Sequence, residues 1–477
     1  MSDKGQEVRG EAMQLLRRSI SARVLLGVGA ALVMAGLAVA FFPGGDERVA
    51  VSAGPNAPVN GDARSINAHN SPAIAQSPTD PDELVVVDKI DQPPFSAAVH
   101  VSADGGRSWR DMRFPIPRGE DRPYAPDLAW AADGTLYMSF VTLVGSFNSP
   151  GAVWLTSSRD SGRTWAPARR VLGPHAFQVR LAVDPGGRDV YLTWLQATAE
   201  AVSCASCFST IGLPVLASHS SDEGATWSEP ARVSAGSRER VGAPVPVVWP
   251  GEGLYVLYYD FKDDRINWVN LDGRYEGDYE LVLSRSDLEA RRFEETAVVP
   301  RVVPEGRFLV YQPRFPSLAV DAQGDRLYVA WADRRGGDRD VWVTRSGDRG
   351  RSWSSPVRPH ADARGDQYLP KLSVAPNGRV DVAYLDRSAD PADVATVAAL
   401  ATSLDSGRTW SSILVSDRPF DSRVGPEDDR GRADQGTRLG MVSTNERALL
   451  VWTDARRGTR VSAKQDIFFA PVSFAPQ

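Results

Sequence analysis

The sequence predicts an all-β fold: a β-propeller of seven four-stranded blades, with six as the alternative count, behind an N-terminal transmembrane helix. Three observations predict it. One octapeptide pattern occurs five times, one strand phrase occurs seven times, and no long amphipathic helix is legible past residue 42. Each repeat is too small to bury an apolar face alone, so neighbours must cover one another.

The octapeptide reads SADGGRSW at Ser102–Trp109, SRDSGRTW at Ser158–Trp165, SSDEGATW at Ser220–Trp227, SGDRGRSW at Ser346–Trp353 and SLDSGRTW at Ser403–Trp410. The common pattern is Ser-x-Asp-x-Gly-x-Ser/Thr-Trp. Asp104, Asp160, Asp222, Asp348 and Asp405 are expected to accept hydrogen bonds from N–H groups two residues on and so close a turn. The glycine two positions later supplies the positive φ of a tight hairpin. The tryptophan anchors the returning strand. In these residues the chain resembles the Asp-box (BNR repeat) proteins, whose best-known members are the sialidases. The resemblance spans nearly all of residues 47–474 and implies a sialidase-like β-propeller with one such hairpin per blade. It also implies that these aspartates lie at the periphery, away from any active site. They are therefore structural, and they speak for fold rather than activity.

The longest copy, residues 316–359, reads as four strands: 317–321, 327–332, 340–345 and 352–358. Such a meander is one blade. Its first-strand phrase recurs from Pro72, Pro126, Val179, Pro244, Pro316, Pro370 and Thr437. The fourth copy has lost its octapeptide and reads LSRSDLEARRFEE from Leu283. The seventh ends with its third strand, DIFFAPVSF from Asp466. An orphan strand, ERVAVSAG at Glu47–Gly54, is expected to complete that last blade and close the ring, which protects the sheet edges. Seven blades depart from the six of sialidases.

At the N-terminus, residues 1–23 are polar and basic, and residues 24–42 carry no charge. That run is about long enough to cross a bilayer. The preceding positive charges predict a cytoplasmic N-terminus and an exported remainder. Two readings stand: an uncleaved signal anchor followed by a short linker, 43–46, or a signal peptide cleaved after the Ala38-Val39-Ala40 site. Either way the propeller is extracytoplasmic, anchored or secreted. Cys204 and Cys207, the only cysteines, are then a disulfide candidate, with free thiols as the alternative. The five histidines look scattered and suggest no metal site, and nothing implies a cofactor. A net charge of −6 over 477 residues, with arginines interleaved among aspartates, leaves no nucleic-acid footprint.

Propeller ligands usually sit at the mouth of the central channel, among the starts of the inner strands. Aligning the seven strand phrases places Ala73, Asp127, Arg180, Val245, Ser317, Lys371 and Arg438 at one position. Side chains alternate along a strand, so these seven share one orientation. If they face the channel, Arg180, Lys371 and Arg438, with Arg314 just upstream of its strand, make a cationic mouth suited to a carboxylate. Gln178, Gln312, Gln367 and Gln435 and the tyrosines Tyr124, Tyr311 and Tyr368 surround them. The sialidase resemblance implies three arginines on the substrate carboxylate, a Tyr–Glu nucleophile and an aspartic acid/base. Only Asp127, Tyr368 and Glu427 offer themselves for the catalytic roles. The first-blade Arg-Ile-Pro motif of sialidases is missing, its place taken by INAHNSPAIAQ from Ile66.

Three functional readings stand side by side. In the first, the arginines only pair with loop aspartates, as the runs ADRRGGDRD and TDARRG allow. In the second, the propeller is a non-catalytic binder of a glycan or a cell-surface protein. In the third, it is an exo-α-sialidase-type hydrolase of sialylated or other acidic glycans.

Overall fold

The computed structural model describes residues 32–34, 37–44, 47–62, 68–91, 94–146, 148–185, 188–203, 213–238, 240–262, 278–303, 314–361, 364–426 and 433–476. The described strands form seven antiparallel sheets, one for each copy of the strand phrase. Their inner strands are His69–Gln76, Pro123–Trp130, Ala176–Val183, Val241–Trp249, Ser317–Asp321, Gln367–Val374 and Gly440–Ser443. Each inner strand touches the next, and the last touches the first, so the sheets are the blades of a closed seven-bladed propeller.

The second strand of each blade carries the core. Runs such as Leu84–Ile90, Gly253–Asp260 and Val380–Asp386 are buried almost throughout. A middle strand has a neighbouring blade on both faces, so it reads as a continuous apolar run without polar alternation. Trp194, Trp331, Trp452, Tyr137, Tyr191, Tyr258, Tyr328 and Tyr384 fill these layers, each almost fully buried. Buried indoles need a partner. Trp331 and Trp452 donate to the aspartate two residues on, Asp333 and Asp454, each at 2.9 Å.

The five octapeptides form the hairpins between third and fourth strands. Ser108 N–H and Oγ donate to Asp104 at 2.9 and 2.5 Å, and Gly106 N–H donates to Ser102 Oγ at 2.9 Å. The same pattern recurs at Asp160, Asp222, Asp348 and Asp405. The aspartate therefore caps the residue four positions on, not two as expected. Both central residues have positive φ, such as Glu223 at 61° and Gly224 at 80°, so the turn twists with its strands.

One strand expectation changes and one holds. In the fifth blade the fourth strand shrinks to one bridge, Val343 to Val357, because Pro356 has no N–H to extend a ladder. In the seventh blade, Glu47–Ala53 pairs with Asp466–Pro476 in antiparallel register, Val51 opposite Phe474, and so closes the ring as expected.

The apolar run does not form the expected helix where it is described. Residues 24–31, 35 and 36 lie outside the described residues. Leu32–Met34 and Leu37–Gly44 are strands, the second paired with Glu47–Ala53. Pro43 and Gly44 of the expected linker thus belong to a strand, and residues 45 and 46 lie outside the described residues. Its Val, Ala and Phe residues suit a strand, and Phe42 gains burial in the seventh-blade core. Among the described residues no helix is long and apolar enough to cross a membrane. Cys204 and Cys207 lie outside the described residues.

Candidate functional site

The channel mouth is shaped by a repeated backbone device. Two positions before the aligned residue, six of the seven inner strands hold a residue in the left-handed region: Ser71, Ala125, Gln178, Ala243, Leu369 and Gly436, with φ between 49° and 86°. Register shifts mark a bulge at five of these places. A bulge re-aims the side chains beside it, and non-glycine residues in this conformation are characteristic of functional rims. Sequence reasoning missed the device because Ser, Ala, Gln and Leu carry no signal for positive φ.

Beyond the bulges, aligned side chains meet across the channel. Arg180 Nε lies 3.1 Å from Asp127 Oδ2, and Arg438 Nη2 lies 3.9 Å from Asp127 Oδ1. Arg438 Nη2 also donates to Pro126 O at 2.6 Å, and the Arg180 guanidinium lies 5.3 Å from the centre of the Phe315 ring. These contacts join blades seven to two and three to five. Non-adjacent blades can meet only through the lumen, so the aligned residues face the channel. Lys371 joins the group electrostatically, and burial, then Arg180, push its ammonium down to about 8. Burial and Arg180 depress Arg438 as well, yet a guanidinium keeps its proton through neutral pH. Three cations therefore share one carboxylate. Nη1 of Arg180 is buried and finds no acceptor among the described residues.

This arrangement makes Asp127 a counter-ion. Its Oδ2 also accepts from Leu181 N–H at 3.2 Å. Tyr368 sits apart, fully buried. Its hydroxyl donates to Gln435 Oε1 at 2.5 Å and accepts from Arg387 Nη2 at 3.0 Å. No carboxylate bonds it among the described residues. Glu427, Tyr311 and Gln312 lie outside the described residues. Arg314 stacks on the Tyr368 ring at 4.9 Å from its centre, beside Arg339 and Arg387.

A second polar group at the mouth escaped the sequence. Tyr124 O–H donates to Asp91, Lys89 Nζ lies 2.6 Å from Asp91 Oδ2, and Asn70 Nδ2 donates to the same oxygen at 2.8 Å. Asp434 is buried close by. Burial and the Asp91 carboxylate raise its carboxyl above the ordinary range, against the pull of Lys89 and Arg314. Tyr124 and Asn70 come from the inner strands of blades two and one, Lys89 and Asp91 from the second strand of blade one and its end, and Asp434 from the last blade's entry loop, so only the fold unites them.

The pairing of arginines with loop aspartates is also real. Arg335 bonds Asp333, Arg456 bonds Asp454 and Arg339 bonds Asp366. That reading accounts for the loops and leaves the channel cations unexplained.

No family model matches the chain. No curated protein matches it. Among solved structures, a protein of unknown function from Dyadobacter fermentans is 12% identical over 91% of this chain and 100% of its own, with a TM-score of 0.48. An α-L-arabinanase from Penicillium chrysogenum complexed with arabinobiose is 13% identical over 89% and 98%, with a TM-score of 0.47. A Hadza microbial sialidase is 15% identical over 81% and 73%, with a TM-score of 0.47.

Proposed function

We propose that this chain is an extracytoplasmic glycan-binding propeller that takes a carboxylate-bearing sugar at its channel mouth. One observation carries the reading: Arg180, Lys371 and Arg438 converge on a single carboxylate, Asp127, which leaves positive charge in a walled lumen. A channel lined by one sign of charge concentrates counter-ions. The orphan Nη1 of Arg180 is a donor in want of an acceptor, and a sugar carboxylate would supply one. Export is supported by the basic segment and apolar run that open the chain. Isothermal titration with uronate- or sialate-terminated oligosaccharides tests the site. Acidic glycans should bind, their neutral counterparts should not, and Arg438→Ala should weaken binding by about 10- to 100-fold. Equal binding of neutral and acidic glycans would overturn the reading.

A second reading, an exo-α-sialidase-type hydrolase, is favoured by the Tyr124–Asp91 pair beside Asp434. Carboxyls whose environments differ can divide acid and base roles. Turnover of a fluorogenic sialoside, reduced by about 100-fold or more in Asp434→Asn, would support it. An active Asp434→Asn variant would remove Asp434 from the chemistry.

A further inference from the structure

A buried chain of alternating carboxylates and imidazoles crosses blade one, outside the channel group. His69 stands on the inner strand His69–Gln76, Asp88 on Leu84–Ile90, His100 on Ser96–Ser102 and Asp111 on Arg110–Met112. Asp62 comes from the segment after the closing strand. His69 Nδ1 lies 2.6 Å from Asp88 Oδ2, and His100 Nε2 lies 2.8 Å from Asp88 Oδ1. The far nitrogens face carboxylates too: His69 Nε2 lies 3.3 Å from Asp62 Oδ2 and His100 Nδ1 lies 2.7 Å from Asp111 Oδ1. His69, Asp88 and His100 are each no more than 2% exposed. The two histidines that looked scattered in sequence are therefore brought to either side of one carboxylate. Cross-strand pairing does this, and linear spacing could not reveal it.

The protonation of this chain is unusual. An ionised carboxylate only accepts, so hydrogen bonds at all four ring nitrogens require two imidazoliums among three carboxylates. Placing that much charge away from water is costly. We propose that the group is a site for a divalent transition metal of the Zn²⁺ class, ligated by His69 Nδ1, Asp88 and His100 Nε2. The three ligating atoms lie within 4.8 Å of one another. Both far nitrogens would keep their protons and donate to Asp62 and Asp111. Such outer carboxylates fix the tautomer and orientation of metal-binding imidazoles. Two imidazole nitrogens with a carboxylate suit Zn²⁺, whereas Ca²⁺ and Mg²⁺ take oxygen ligands.

The exchange balances. One dication enters, one proton leaves His69 Nδ1 and one leaves His100 Nε2, both to solvent. Three carboxylates face two imidazoliums before and one dication after, so the net charge is unchanged. The half-exposed Asp111 and the partly exposed Asp62 mark the ends at which ions and protons can pass. The place has a structural consequence. Asn60 Nδ2 donates to both Asp62 and Asp466, each at 2.9 Å. Metal in blade one would thus clasp the segment that follows the closing strand, and through it the last blade.

The test is titration of chelator-treated full-length protein with Zn²⁺, in two buffers of different protonation enthalpy. One Zn²⁺ per chain should bind, with about two protons released, and Co²⁺ should give visible ligand-field bands. Ca²⁺ and Mg²⁺ should not compete. His69→Ala and His100→Ala should abolish uptake. Should either fail to fold by circular dichroism, Asp111→Asn at the exposed end should fold and weaken binding about tenfold. His219→Ala, which alters a separate His219–Asp189 pair, should bind normally. Absence of stoichiometric uptake, uptake without proton release, or uptake unchanged in folded variants would overturn the proposal and leave a proton-held ion chain.

Discussion

Lys371 makes the channel's chemistry accessible to pH. Its ammonium is depressed to about 8 by burial and by the neighbouring arginines, against the pull of Asp127. The sign follows directly: the charged form attracts a carboxylate and is lost as pH rises through that value. Affinity for an acidic sugar should therefore fall roughly three- to tenfold between pH 7 and 9.5, while the guanidiniums keep their charge. Lys371→Met should bind more weakly at pH 7 and lose the pH dependence. A wild-type affinity flat over that range, measured by titration, would show that Lys371 does not meet the ligand. This residue was legible in the sequence because Asp127, Arg180, Lys371 and Arg438 hold one place in a repeated phrase, and a repeat transfers orientation from blade to blade. Arg314 lies outside that phrase, and its stacking on Tyr368 could not be read. Lys89, Asp91 and Asp434 meet through strand pairing and ring closure, for which linear spacing holds no signal.

The octapeptide hairpin shows how an element joins neighbouring blades. Its glycine was legible as a positive-φ position, but the surface it rests on was not. A methyl group built on Gly106, at φ 88°, would lie 2.2 Å from the edge of the Phe469 ring of the last blade. Gly119 has nearly the same φ, 87°, and open space around it. The pair separates backbone strain from packing. Gly119→Ala should cost about 1–2 kcal/mol from conformation alone. Gly106→Ala should cost about 1–3 kcal/mol more, because overpacking is added. Urea unfolding of both variants measures the difference, and equal costs would mean that the hairpin does not bear on the neighbouring blade. The aspartate's offset was misread for a related reason. A two-residue cap is the local default, whereas this turn has two consecutive positive-φ residues, which carry the chain back to Asp104 four positions on.

At the scale of the ring, stability rests on one join between chain ends. Among the described residues every other blade is folded from a continuous segment, and only the seventh takes Glu47–Ala53 from far away in the sequence. That join was legible because the strand is an orphan and the last blade lacks one. The preceding strand, Leu37–Gly44, was not, because an uncharged run of bilayer length reads as a membrane span before it reads as a sheet edge. Two truncations test the hierarchy. Among the described residues, removing 1–46 takes away the outermost pairing and the buried Phe42, and should lower the melting temperature by only a few degrees. Removing residues 1–54 also strips the ladder from Asp466–Pro476 and uncovers the sheet around the buried Val51. That bares an edge and several kcal/mol of apolar surface, so melting should fall by on the order of 10 °C and the protein should tend to associate. Equal melting temperatures for the two truncations would mean that the propeller is closed by its inner strands alone, with the terminal strand an ornament on its rim.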